Sequence, residues 1–402
     1  MSDINTAQAP RLDGGATTSV FSDPSWRAVA AAFAFNGALF GTWASRVPAF
    51  KGQFSLDAAE LGLLLLVLAA GAIIAFPLAG LFSDRLGARR VTFVTAVLYG
   101  PVLALLGFAQ GPFMLALALF VFGALHGAMD VGMNGWGARV EEKLGRPVMS
   151  VFHALFSLGA GVGAGLGVLA THMSLSPATH LPVAAVLFAV PTLALLVIAD
   201  AHRPEGVRKQ EQPGKVKMFA IPRGTLLLVG LIAFGVSIGE GAMADWSAVF
   251  LRDATAATES AAALGYAVFS TTMVATRLAG DTLITRLGPV VVVRASGIVA
   301  ALGIIMVVTA NAVPMALTGF AVVGVGYAVV MPLVFSRAAR DPDTPSGTAI
   351  AAVATLGYGG MLLGPVLVGF VAHLTTLAIA MSMLAALAIG VALLARFINP
   401  AN

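Results

Sequence analysis

Cysteine is absent from the 402 residues, which removes disulfides, thiolate metal sites and cysteine nucleophiles together. Charge is nearly as scarce. Asp, Glu, Lys and Arg make up 10% of the chain, against about 25% in an ordinary soluble domain. Lys+Arg 23 and Asp+Glu 19 could not cover the surface of a soluble globule of this length. That shortage excludes a soluble enzyme, a nucleic-acid binder and a disordered chain. Residues 1–25 hold Asp3, Asp13 and Asp23 but lack the apolar run of a secretory leader, so they read as a cytoplasmic tail.

What is present is apolar: 58% of the chain, with Gly 45. A membrane-spanning helix needs about 20 such residues, and the sequence divides into twelve candidates: 27–48, 58–82, 90–109, 112–138, 148–171, 181–199, 225–250, 262–284, 289–309, 312–336, 347–372 and 376–396. These runs are too long and too uniform for barrel strands. The expected fold class is therefore an all-α membrane protein. With the N-terminus inside, 20 of the 23 Lys and Arg flank the even-numbered connections and tails. Arg46, Lys51 and Arg252 remain outside, and the asymmetry places both termini in the cytoplasm.

The longest polar stretch, 200–224, contains Pro204, Pro213 and Pro222 and lies at the midpoint. It reads as a cytoplasmic linker between a six-helix bundle at 26–199 and another at 225–396, followed by a tail at 397–402. The two bundles echo each other. Arg85-Leu86-Gly87 recurs as Arg286-Leu287-Gly288, Gly123 with Arg139 recurs as Gly324 with Arg340, and Ser157-Leu158-Gly159 is loosely mirrored by Gly357-Tyr358-Gly359. Parallel repeats of this kind build alternating-access transporters with a site between the units.

The loop after the second segment, Gly80-Leu81-Phe82-Ser83-Asp84-Arg85-Leu86-Gly87-Ala88-Arg89-Arg90, resembles the cytoplasmic signature of the major facilitator superfamily. Ala88 stands where a basic residue is common, and the second copy around Gly280-Asp281 is degenerate. The resemblance implies that Gly80, Asp84, Arg85, Gly87, Arg89 and Arg90 stabilise one gating state by pairing with neighbouring helix ends. The pattern from His126 through Asp130 and Asn134, followed by Glu141 and Arg146-Pro147, is most similar to a fucose-permease-like bacterial branch.

Ionisable groups inside a span cost about 2.5–3.5 kcal/mol each on insertion scales, so each needs a reason. His126, Asp130 and Asn134 recur every four residues and share one helix face, on which His126 and Asn134 are candidates for touching solute. At 1.5 Å per residue from Arg139, Asp130 lies about 13.5 Å deep and His126 about 19.5 Å; His153 lies about 10 Å from its own end. Asp130 and His153 can therefore meet and pass a proton; a polar pair that merely ties two helices together is the alternative. Glu240 lies near the middle of the seventh segment and is expected to carry a proton or bind solute. The resemblance implies that the first and fourth helices of each unit line the cavity. Asn36, His126, Asp130, Glu240 and Tyr327 would then converge there. Trp43 and Trp246 could stack on a solute or sit at the interface, whereas Trp136 reads as interfacial. Arg46 and Asp245 are candidates for an outer gate pair. The alternating glycines from Gly159 to Gly167 have no preceding strand, so they are helix-packing surfaces rather than a dinucleotide site.

The combined expectation is a secondary transporter of the bacterial inner membrane. It would move a small polar solute, with sugars as the suggested class, by proton symport. Its partners are solute, protons and lipid, with no nucleic acid, cofactor or metal, and a monomer suffices. Proton-driven efflux is the rival. It is disfavoured because Gly123 and Ala164 stand where the superfamily's antiporters carry an arginine and a proline.

Overall fold

The computed structural model describes residues 20–56, 58–201, 222–257 and 259–399. Most of the expected N-terminal tail (1–19) and of the linker (202–221), and half of the C-terminal tail (400–402), lie outside the described residues. Thirteen α-helices follow in order among them: α1 Pro24–Gln53, α2 Ala58–Phe82, α3 Ala88–Leu106, α4 Pro112–Leu144, α5 Met149–His172, α6 Pro177–Ala201, α7 Gly224–Thr255, α8 Glu259–Leu287, α9 Pro289–Val308, α10 Val313–Tyr327, α11 Val330–Ala339, α12 Ser346–Leu374 and α13 Leu377–Leu394.

Local chemistry sets the ends. Asp23 accepts from the Ser25 and Trp26 amides at 2.8 and 3.0 Å, with Pro24 at the first helical position; this is a carboxylate N-cap beside a proline that has no amide to satisfy. Gly145 ends α4 in the left-handed region at φ 63°. Gly87 and Gly288, at φ 92° and 80°, turn the chain into α3 and α9. Each is the last residue of an Arg-Leu-Gly triplet, so the repeated letters mark a repeated turn that a side chain would strain. Several helices outrun the apolar runs that announced them: α1 continues to Gln53, α4 to Leu144 and α7 to Thr255.

Ten helical stretches among the described residues are long and apolar enough to cross a membrane. Leu63–Leu106 forms one of them, although the wide turn at Ser83–Gly87 divides it into α2 and α3. α8 lies outside the ten, in keeping with the Arg277, Asp281 and five threonines in its sequence.

One expected helix is two. The run 312–336 breaks after Tyr327, and the chain resumes as α11 at Val330. Pro332 is the cause we assign. It has no N–H for the carbonyl four residues earlier, that of Ala328, and a proline inside a helix kinks or breaks it there.

Packing repeats along the chain. α1 runs along α5 and α7 along α12; α2 runs along α4 and α8 along α10. A Cβ at Gly159 would lie 2.1 Å from the Ala34 carbonyl oxygen, and one at Gly360 would lie 2.5 Å from that of Phe234. Likewise Gly123 meets the backbone of Leu68, and Gly324 that of Phe269. Small residues let helix backbones approach where lipid offers no hydrophobic drive. The contacts between α1–α6 and α7–α13 run chiefly along α2–α12 and α5–α8. We call the end where α2 meets α3 and α4 meets α5 the linker end, because α6 and α7 flank the linker there.

Candidate functional site

Three polar groups lie inside the bundle. The first surrounds His126 on α4. Its Nδ1 is 2.9 Å from Asn36 Oδ1 on α1 and 3.1 Å from the Tyr99 hydroxyl on α3; its Nε2 is 3.2 Å from the Tyr358 hydroxyl on α12. An amide oxygen can only accept, so the ring proton belongs on Nδ1, and Nε2 then accepts from Tyr358. Phe40 stacks on the ring at 4.9 Å. The imidazole is thus a hub between the first-half helices and α12.

The second group is Asp130, Asn134 and His153. Asn134 Nδ2 donates to Asp130 Oδ1 at 3.1 Å and to the Asp130 carbonyl at 2.9 Å, while His153 Nε2 lies 3.1 Å from Asn134 Oδ1. The expected direct pairing of Asp130 with His153 is therefore corrected. The two come to the same region, but the Asn134 amide stands between them. It accepts from the imidazole and donates to the carboxylate, so each is held by one hydrogen bond to the same amide. Asn134, expected to touch solute, is buried within this chain of bonds.

The third group lies in the second half of the chain. Glu240 on α7 keeps 25% of its side chain exposed and has Arg277 Nη2 of α8 at 3.6 Å from Oε1. This is a charge contact, too long for a good hydrogen bond. Arg277 Nη1 donates to Ser157 Oγ on α5 at 2.9 Å, and Nε donates to the Ala328 carbonyl at 2.9 Å. That carbonyl is the one left open by Pro332. The Tyr327 hydroxyl lies against Gly239, beside Glu240. Tyr327 Oη and Glu240 Oε1 are both buried and without a hydrogen-bond partner among the described residues.

Arg277 is the main residue that the sequence reading missed. It was counted among the charges flanking the linker side, but ten residues separate it from Leu287, a depth of about 15 Å. The charge pattern shows its sign and conceals its depth. Tyr99 and Tyr358 carried no signal beyond being tyrosines in apolar runs. Of the five residues expected to meet at one point, Asn36 pairs with His126, Asp130 is held by Asn134, and Glu240 lies beside Tyr327.

Other expectations change as well. Arg46 does not pair with Asp245; it donates to Thr171 Oγ1 at 2.8 Å and to the Leu175 carbonyl at 2.6 Å, closing the α5–α6 corner, while Asp245 is exposed. Trp43 is buried against Phe50 and Phe122, a packing role rather than a stacking platform. Trp246 fills the space over Gly369 on α12. Trp136 is buried beneath the Arg89 guanidinium, 5.4 Å from its ring centroid.

The signature loop joins helices from the two halves of the chain. Asp84 Oδ1 accepts from the Gly347 amide at 2.7 Å, and Oδ2 accepts from the Thr348 amide and hydroxyl at 2.9 and 2.6 Å. A carboxylate thus caps the N-terminus of α12, where the helix dipole favours negative charge. Asp281 does the same for α5, accepting from Ser150 and Val151 amides at 3.0 and 3.1 Å. Gly80 packs against Gly347, and Gly280 against Ser150. Glu141 Oε2 accepts from the Val148 and Met149 amides at 3.0 and 3.2 Å; its Oε1 accepts from Ser336 and, at 2.9 Å, from Arg340 Nη2. Arg89 pairs with Asp200 at 2.7 Å, whereas Arg85 and Arg90 are exposed. The linker end is closed.

The family model of the Major Facilitator Superfamily matches residues 28–365. The chain is 46% identical to transporter y4wD of Sinorhizobium fredii, over 88% of this chain and 92% of that protein. It is 36% identical to an MFS-type transporter of Yersinia pestis, over 92% and 94%. Among solved structures, the E. coli fucose:proton symporter FucP superposes with a TM-score of 0.78 at 16% identity, covering 95% of this chain and 100% of that one. The proton:xylose symporter XylE superposes with a TM-score of 0.71 at 15% identity, over 93% and 95%; at such identities the likeness is one of fold. The chain is a multi-pass membrane transporter and not an enzyme, and it belongs to the major facilitator superfamily.

Proposed function

We propose that this transporter carries a small, neutral, hydroxylated solute together with protons, by alternating access between two six-helix units at 26–199 and 225–396. Counting α10 and α11 as one broken span gives twelve spans. The distribution of Lys and Arg supports cytoplasmic termini in a bacterial inner membrane, and the closed linker end then makes this state outward-facing. A single protomer contains the whole site.

The observation that carries the solute class is the pair of unpartnered atoms, Glu240 Oε1 and Tyr327 Oη. One accepts and the other can donate or accept, the complement of a hydroxyl group. Arg277 balances the charge of Glu240, which favours a neutral guest over a cation or an anion. A broken helix beside the site fits the way transporters line solute cavities. Asp130 is the group we assign to proton uptake. Efflux of lipophilic cations is the second reading, and the Arg277 charge beside Glu240 weighs against it.

A thermal-shift panel at two pH values tests the assignment, because a ligand bound to the folded state alone raises stability with its concentration. Stabilisation by sugars or polyols, stronger at one pH, is the expected result. Stabilisation by lipophilic cations alone would turn the reading to efflux.

A further inference from the structure

We propose that Arg277 is a switch residue that exchanges partners between Ser157 on α5 and Glu240 on α7, and so ties the state of the solute site to the closure of the linker end. The inference rests on the reading of Glu240 and Tyr327 as the solute site, and it adds a positioning residue to that site.

Four contacts place Arg277 at this junction. Its Nη1 holds Ser157 at 2.9 Å across the divide, and its Nε holds the open Ala328 carbonyl at 2.9 Å. Its Nη2 stands 3.6 Å from Glu240. Its own carbonyl accepts from Ser150 Oγ at 2.6 Å. Ser150 lies in the first turn of α5, and the next turn of α8 carries Asp281, which caps the Ser150 and Val151 amides. Arg277 and Asp281 are four residues apart, hence on one face of α8, and Gly280 between them lets α8 touch Ser150. One helix face thus holds both the solute carboxylate and the N-terminus of α5.

The geometry is that of two demands on one guanidinium. Its planar fork has a fixed set of donors, and here they serve Ser157 and Ala328 in preference to Glu240. Glu240 Oε1 is left without a hydrogen bond and can receive a guest. When α5 and α8 part at the linker end, Ser157 withdraws and the Ser150 bond breaks with it. Arg277 is then free to close on Glu240 as a hydrogen-bonded ion pair, which takes the place of the guest and releases it. Closure of the linker end and an available Glu240 therefore belong to the same state, through one side chain.

The absence of native cysteine permits a direct test. Spin labels on Leu86→Cys and Leu287→Cys, both exposed at the linker end, read the separation of the two halves by pulsed electron resonance, with no solute present. Ser157→Ala is expected to raise the ratio of long to short distances by about fivefold, the value of one hydrogen bond. Adding Glu240→Gln to Ser157→Ala should return the ratio toward that of the parent, because the competing ion pair is reduced to a weaker neutral contact. Arg277→Lys keeps the buried charge but cannot span all three partners, and should behave as Ser157→Ala does. An unchanged ratio in Ser157→Ala, or a shift that Glu240→Gln leaves in place, overturns the switch. Solute binding is read separately by thermal shift in the same variants. If the distances respond as expected while no hydroxylated solute stabilises the parent, the solute assignment fails and the switch stands.

Discussion

The Asn134 amide separates Asp130 from His153, and the three residues invite different substitutions. Asp130→Asn is expected to abolish proton-driven accumulation in proteoliposomes while solute exchange continues, since exchange needs no net proton movement. Accumulation at the parental level would remove Asp130 from the proton path. Asn134→Ala leaves a buried carboxylate and imidazole without their shared partner, a loss of about 1–3 kcal/mol, visible as a lower melting temperature. Asp23 is a simpler case at the edge of the protein. Partial burial opposes its ionisation, but the Lys143 ammonium at 2.6 Å and two backbone donors outweigh this and hold its carboxyl below the ordinary value of 3.8. A lowered folded value means the stabilisation is full above the unfolded pKa and fades as pH falls through the folded one. Asp23→Ala should cost about 1 kcal/mol as a lost N-cap near neutral pH and less in acid, read from melting curves at both. At this scale the sequence disclosed which buried groups exist, through residue type and helical spacing. It did not disclose their partners, because Tyr99, Tyr358 and Ser157 come from other helices and are brought close only by packing.

At the scale of a helix, the glycines of α5 separate into two faces. Gly159 and Gly163 meet the α1 backbone, with a Cβ falling 2.1 Å from a carbonyl oxygen in each case, whereas Gly161 and Gly165 face open space. Gly159→Val should therefore destabilise by at least the 1–3 kcal/mol typical of overpacking, and Gly161→Val should leave the melting temperature nearly unchanged. Equal effects at both positions would contradict the packing. The alternation in the sequence pointed to close approach, but a period of two conceals a spacing of four until the partner helix is placed. The break between α10 and α11 is legible in Pro332 but is masked by the apolar residues that run through it. Pro332→Ala restores an amide that can take the Ala328 carbonyl from Arg277. It should raise thermal stability, given proline's cost of about 3 kcal/mol in a helix interior, and slow solute counterflow.

For the whole molecule, composition and periodicity were enough for the helical class, because a bilayer leaves few alternatives to a chain so poor in charge. The family was legible in one loop, where Asp84 serves as a helix cap. The loop's second copy looked degenerate because its spacing differs, yet Asp281 occupies the same structural place on α5. Asp84→Asn and Asp281→Asn should each weaken closure of the linker end, and the double substitution should do so more than either alone, measured by alkylation of a cysteine placed at Met149. Protection equal to the parent in all three would show that other contacts hold this end shut.

α4 is continuous from Pro112 to Leu144, while its counterpart two hundred residues on is divided into α10 and α11. The two halves are therefore alike in topology and unlike in stiffness. A rocking motion that bends one half and leaves the other rigid does not retrace a mirror path. The outward- and inward-facing states then differ in energy, so the two strokes, which share one transition state, climb barriers of different height. Influx and efflux, each measured with solute on one side only and no proton gradient, should then saturate at different maximal rates, their ratios of rate to half-saturation remaining equal as equilibrium demands.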